Sequence, residues 1–269
     1  MIRLPAVANQ FYPGDAHLLK ETLDKLIPPF SDDLRKKALA IISPHAGYIY
    51  SGSVAGETFA RIQVSRDVII LGPNHHGLGA PIAIMQEGAW QMPLGAVPIN
   101  SSLAELIINH NPAIRVDEKA HLHEHSLEVQ VSFLQYFQQN LAIVPITFSQ
   151  LSFTLCEEIG KGIAAAIKDY RKDVLMIASS DMTHYESRRE ATAKDRQAIE
   201  KVLALDPLGL YQTVFSRGIT MCGVIPATVA LIAAKELGAT QAELVRYTDS
   251  GEISGDTRQV VGYAGLIIT

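Results

Sequence analysis

Mapped along the chain, the apolar residues fall into short, nearly continuous runs separated by longer stretches of helical period. The runs at 38–42, 67–71, 141–147, 174–178 and 260–268 are rich in Val, Ile and Leu with little polar alternation. That is the pattern of strands covered on both faces. Between them, 18–26 follows Asp15, a residue suited to cap a helix, and carries Leu18, Leu19 and Leu26 on an amphipathic period. Longer amphipathic stretches cover 153–167 and 191–205, and 227–237 ends at Gly238, a common helix stop. Strands alternating with helices of this length predict an α/β fold with a largely parallel central sheet flanked by helices. The stretch 81–94 is less regular and is expected to form a hairpin or an added antiparallel edge. No repeat, low-complexity tract or linker-like stretch interrupts the texture, so one domain over 1–269 is expected.

Composition narrows the function classes. The 269 residues are 48% hydrophobic and 19% charged, an ordinary globular balance. With 23 Lys and Arg against 28 Asp and Glu, the net charge is −5, and there is no basic run. Both features argue against a nucleic-acid partner. The longest apolar runs, such as Val68–Leu71, are too short to span a bilayer, so no membrane association is expected. Met1-Ile2-Arg3-Leu4-Pro5 lacks the charged and apolar regions of a signal peptide. Two cysteines, Cys156 and Cys222, cannot form a disulfide framework, and a reducing cytoplasmic compartment is the expectation.

In open α/β sheets, ligands bind beyond the carboxyl ends of the strands. Three predicted strands run into histidine-bearing loops: Ser43-Pro44-His45-Ala46-Gly47-Tyr48, Gly72-Pro73-Asn74-His75-His76-Gly77 and Ser179-Ser180-Asp181-Met182-Thr183-His184. A lone histidine after a strand is most often a loop residue bonded to a carbonyl, but three such loops on one sheet edge point to a shared site. Neighbouring side chains diverge, so at most one of His75 and His76 should face it. A fourth cluster, His121-Leu122-His123-Glu124-His125-Ser126-Leu127-Glu128, places His125 and Glu128 on one face if a helix starts near Glu124. An imidazole and a carboxylate there could be ligands, an acid/base pair or supports for other ligands; the bland alternative is a capping cluster. His17 and His110 read as surface residues on helices. Cys222 stands at a loop-to-helix junction, where a thiolate gains from the helix dipole, while Cys156 reads as a core residue. There is no Gly-x-Gly-x-x-Gly, Walker or Gly-x-Ser-x-Gly motif. Imidazoles at separate strand ends with a carboxylate or thiolate suit a transition metal such as Fe, Cu or Zn.

The strings Pro44-His45-Ala46-Gly47-Tyr48, Gly72-Pro73-Asn74-His75-His76, Glu124-His125-Ser126-Leu127-Glu128, Ser179-Ser180-Asp181-Met182-Thr183-His184 and Cys222-Gly223 resemble the MEMO family, also called AmmeMemoRadiSam system protein B. The opening Pro5-Ala6-Val7-Ala8-Asn9-Gln10-Phe11-Tyr12-Pro13 fits too, except that Asn9 stands where Gly is expected, and Gly262-Tyr263-Ala264-Gly265 fits the family's end. The resemblance implies a fold similar to class III extradiol dioxygenases, which are non-haem iron enzymes. It implies His45, His75 and Cys222 as metal ligands, with Asp181 and His184 in the same pocket; His125 and Glu128 are added as candidate catalytic groups. Those dioxygenases use two His and one carboxylate, so a Cys in the carboxylate position shifts preference toward softer ions. The leading expectation is a metal-dependent redox protein, oxidase- or oxygenase-like, using Fe or Cu. The alternatives are a zinc-type hydrolase, with His184 or Glu128 activating water, and a non-catalytic module binding a peptide or partner protein. Expected partners are a small-molecule or peptide ligand and, by the family's usual association, a radical-SAM protein and an AMMECR1-like protein.

Overall fold

The computed structural model describes residues 1–269. In chain order its elements begin β1 (Ile2–Arg3), α1 (Ala16–Leu26), β2 (Ala40–Ser43), α2 (Tyr48–Ala60), β3 (Asp67–Pro73), β4 (Ile82–Ile84), β5 (Ala89–Met92) and β6 (Gly95–Pro98). Next come α3 (Ser101–His110), β7 (Arg115–Val116), α4 (Glu128–Phe137), β8 (Ala142–Phe148), α5 (Phe153–Tyr170), β9 (Val174–Ser179) and β10 (His184–Glu186). The chain closes with α6 (Arg188–Leu203), α7 (Pro207–Ser216), α8 (Val224–Glu236), β11 (Ala242–Asp249), α9 (Gly251–Ser254) and β12 (Val260–Ile268). Each of the five apolar runs is a strand, as expected of residues that must be buried on both faces.

The principal sheet has nine strands in the order β10-β12-β2-β9-β3-β8-β4-β7, with β11 also paired to β12. Its centre, β2-β9-β3-β8, is parallel. The flanks are not: β12 runs antiparallel to β2, β10 and β11 antiparallel to β12, and β4 antiparallel to β8. A largely parallel sheet thus describes the centre but not the edges. A continuous apolar run reports burial on both faces and carries no information about strand direction. Within 81–94, both expected arrangements occur: β4 adds an antiparallel strand to the main sheet, while β5 turns back on β6 in a three-stranded sheet completed by β1.

Successive side chains of the central strands enter opposite layers. Ala40, Ile42, Ile69, Leu71, Met176 and Ala178 join α3, α5, α6, α7 and α8 in one apolar layer. Ile41, Val68, Ile70, Leu175 and Ile177 join α1, α2, α4 and the small sheet in the other. The helix predicted over 191–205 starts earlier, at Arg188, because Ser187 caps it by accepting from the Glu190 N–H. The helix α2, which the apolar pattern did not show, contains Gly52 and Gly56. A Cβ at Gly56 would collide with the Leu26 carbonyl of α1. Close helix packing, rather than propensity, therefore sets that residue. No helix is long and apolar enough to cross a membrane.

Candidate metal centre

The parallel strands β2, β3 and β9 end side by side, and a candidate group follows each end by two residues: His45, His75 and Asp181. The carboxyl ends of the parallel strands thus carry the chemistry. One ring nitrogen each from His45, His75 and His125 lies within 4.8 Å of the others. The His75 and His125 rings stack at 4.6 Å, and the His45 ring stands edge-on to both, at 5.2 and 5.4 Å. His76 points to solvent beside His123, as the divergence of neighbours requires.

The hydrogen bonds determine which nitrogen each ring presents. Ser179 Oγ donates its proton to the Ser126 carbonyl at 2.6 Å and accepts from Gln130 Nε2 at 2.9 Å. It can therefore only accept from His45 Nδ1, 3.0 Å away, so Nδ1 carries the proton and Nε2 is free. Nε2 faces Cys222 Sγ at 3.2 Å. Glu124 clasps His75 twice, through the ring Nδ1 at 2.8 Å and the backbone N–H at 2.7 Å, leaving Nε2 of His75 free as well. Burial opposes ionisation of Glu124, but His75 and the Ser126 N–H and hydroxyl outweigh it and bring its carboxyl down to about 2. His184 Nδ1 lies 2.9 Å from the Thr220 carbonyl, which can only accept, so Nδ1 carries a proton and Nε2 is the nitrogen turned away from that bond.

Burial disfavours the charged form of two of these rings. Burial lowers His125 to about 4, with Glu124 pulling the other way. Burial also drives His45 well below the ordinary imidazole range, reinforced by repulsion from His125, His75 and His184. Burial raises Asp181 to about 6 despite the His45 and Ala46 N–H groups that bond it. Burial pushes the Cys222 thiol up, and the Asp181 charge adds to it. Neutral imidazoles have the free lone pairs that metal coordination needs.

His45, His75, Cys222 and Asp181 meet at the strand ends, since His45 lies near His75, touches Cys222 and bonds Asp181 Oδ1 through its N–H at 2.7 Å, and His184 is tied to the same region by its bonds to Thr220, two residues before Cys222. His125 stands among the metal-competent nitrogens with His45 and His75, whereas Cys222 adjoins that group through His45 alone. Glu128 stands apart. Helix α4 begins at Glu128 and not near Glu124, so His125 precedes the helix and the two do not share a helix face. The fully buried Glu128 carboxylate pairs with Arg3 at 2.7 Å and accepts from Tyr12 Oη at 2.5 Å and from the N–H groups of Ala6 and Val7. Arg3 in turn donates to the carbonyls of His121 at 2.6 Å and Glu124 at 2.8 Å. Glu128 thus fastens the N-terminal segment to the loop that carries Glu124 and His125. Glu124 is the residue the sequence reading passed over. The only hint was its place directly before His125.

Two backbone details explain the local sequence. A Cβ at Gly223 would strike the Ser179 carbonyl and Ser180, so only Gly lets α8 bring Cys222 against the end of β9. Asn9 adopts a left-handed φ of 65°, which Asn tolerates where Gly would be usual, and its Oδ1 accepts from the Gly14 N–H at 2.9 Å.

Fold and site together define an α/β protein with a histidine cluster at the strand ends that could hold a metal ion. A family profile described as Memo-like protein matches residues 3–267. The chain is 41% identical to a MEMO1 family protein of Methanothermobacter thermautotrophicus, over 99% of this chain and 100% of that one. It is 43% identical to a MEMO1 family protein of Aquifex aeolicus, over 99% and 98%. The match to one from Methanopyrus kandleri is 39%, over 99% of each. The chain belongs to the Memo family.

Proposed function

We propose that the protein holds one transition-metal ion between His45, His75 and His125, with Cys222 at its edge, and that the centre works as an iron- or copper-dependent oxidase- or oxygenase-like enzyme. The observation that carries this reading is three imidazoles converging beside a thiol. Metal–nitrogen bonds of about 2.0–2.1 Å and a metal–sulfur bond of about 2.3 Å put tetrahedral N···N near 3.4 Å and N···S near 3.6 Å. The 3.2 Å between Cys222 Sγ and His45 Nε2 is about 0.4 Å inside that frame, and the imidazole nitrogens, within 4.8 Å of one another, need draw in by up to about 1.4 Å. A mixed imidazole and thiolate set suits Cu(I), Zn and Fe rather than hard cations. When bound, iron or copper would supply one-electron chemistry.

The chain's own residues then have distinct tasks. Ser179 and Glu124 hold the His45 and His75 rings with Nε2 inward. His184 Nε2 takes a proton from a bound hydroxyl or water, and Thr220 keeps its ring in that tautomer. Asp181 holds the His45 backbone through its N–H. Glu128, sealed by four partners, is not the base.

Anaerobic purification, reconstitution with Fe(II), Cu(I) or Zn(II), and elemental analysis test this reading. One ion per chain is expected, falling below a tenth in H45A, H75A and H125A. Sub-stoichiometric metal under every condition refutes the centre, and Zn retention without oxygen consumption in the presence of reductant favours the hydrolase.

A further inference from the structure

Beside the centre lies a cavity of about 390 Å³ that reaches it at His75 and Cys222. Its walls come from the end of β8, the end of α7, the loop that follows it and the start of α8. Phe148, Val214, Phe215, Ile219, Met221 and Ile225 contribute to an apolar share of slightly more than half of the lining. No Asp, Glu, Lys or Arg lines it. Asn74, Ser149, Gln150 and Thr220 are polar but neutral.

This lining selects by charge. An ion taken into such walls loses part of its hydration and meets no oppositely charged side chain, whereas an apolar body displaces water from apolar surface. A volume near the lower end of ligand pockets fits one small organic molecule and excludes a folded segment of a partner. Among its polar groups, His75 and Cys222 belong to the centre itself, and Thr220 bonds His184 through its carbonyl.

Resting on the metal-centre reading for its chemistry but not for its binding, we propose that this cavity takes the uncharged, apolar body of a small organic substrate. The substrate is of mono- or bicyclic size, with a single hydroxyl or carbonyl turned toward His75 and Cys222. A phosphorylated or otherwise charged ligand is thereby disfavoured, and so is a peptide.

Three probes on one ring system test it: 1-naphthalenemethanol, 1-naphthoic acid and 1-naphthalenemethylamine, which are neutral, anionic and cationic at pH 7. Binding to full-length, metal-free protein is measured by equilibrium dialysis. The alcohol should bind at least about tenfold more tightly than either ion. Phe215 is 41% exposed at the rim, so F215D should fold normally. It should weaken the alcohol by about tenfold or more, with F215S intermediate; unchanged melting midpoints confirm intact folds. No binding of the alcohol, equal or tighter binding of a charged probe, or alcohol binding untouched by F215D overturns the proposal. Because the protein is metal-free, a failed metal centre with intact neutral-probe selectivity would refute the first reading alone.

Discussion

Replacing Arg3 by Met tests whether the N-terminal segment and the loop at 121–128 form one unit. Arg3 and Glu128 are 1% and 0% exposed, so water cannot stand in for a lost partner. Arg3 also donates to two carbonyls, and its guanidinium lies 4.2 Å from the Trp90 ring centroid. Removing one member of a buried pair costs about 3–5 kcal/mol, because the other charge stays buried. Glu128 keeps Tyr12 and two N–H donors, which places R3M near the lower end, at about 3 kcal/mol. For a chain of this size, roughly 2 °C of melting temperature per kcal/mol gives a fall of about 6 °C. E128Q keeps the acceptor shape but removes the charge. The double variant R3M/E128Q should therefore be less destabilised than the sum of the two singles. Calorimetric melts read both effects. Reconstitution with Zn(II) should show weaker binding in R3M, since the His121 and Glu124 carbonyls lose their anchor beside His125. An R3M melt within about 2 °C of wild type, or strict additivity in the double variant, would refute the clamp.

Cys222→Ser keeps nearly the same volume, and the hydroxyl can take over the Asp181 N–H that now bonds Sγ at 3.3 Å. Stability should change by less than about 1.5 kcal/mol while Cu(I) affinity falls sharply, as a Cu(I) competition titration beside a thermal melt would show. A destabilised variant with intact Cu(I) binding would take Cys222 out of the centre. His121 is buried against Trp90, and burial together with the Arg3 charge lowers it to about 3. Below pH ~6.5 the unfolded chain therefore binds a proton that the folded chain does not, so stability falls as pH drops from ~6.5 toward 3, by about 1.4 kcal/mol per unit from this group. H121L should remove that increment between pH 6 and 4 in urea melts; parallel curves for the two proteins would count against it.

Much of this protein follows from local pattern. The apolar runs are strands because only a strand buried on both faces needs such a run, and a strand end fixes where the next two residues emerge. That His45, His75 and Asp181 emerge together at one sheet edge was therefore legible from one dimension, as was the place of Cys156 in the core. What the pattern could not carry was anything settled by contact between distant segments. The direction of β12 depends on its pairing with β2 and β11, and its apolar residues would read the same either way. Helix α2 is written against propensity because Gly56 answers to the carbonyl of Leu26. Glu124 and Glu128 are four residues apart and chemically alike. Only the folded chain, by setting one against His75 and the other against Arg3, makes the first a support for the centre and the second a buried fastening for the loop that bears it.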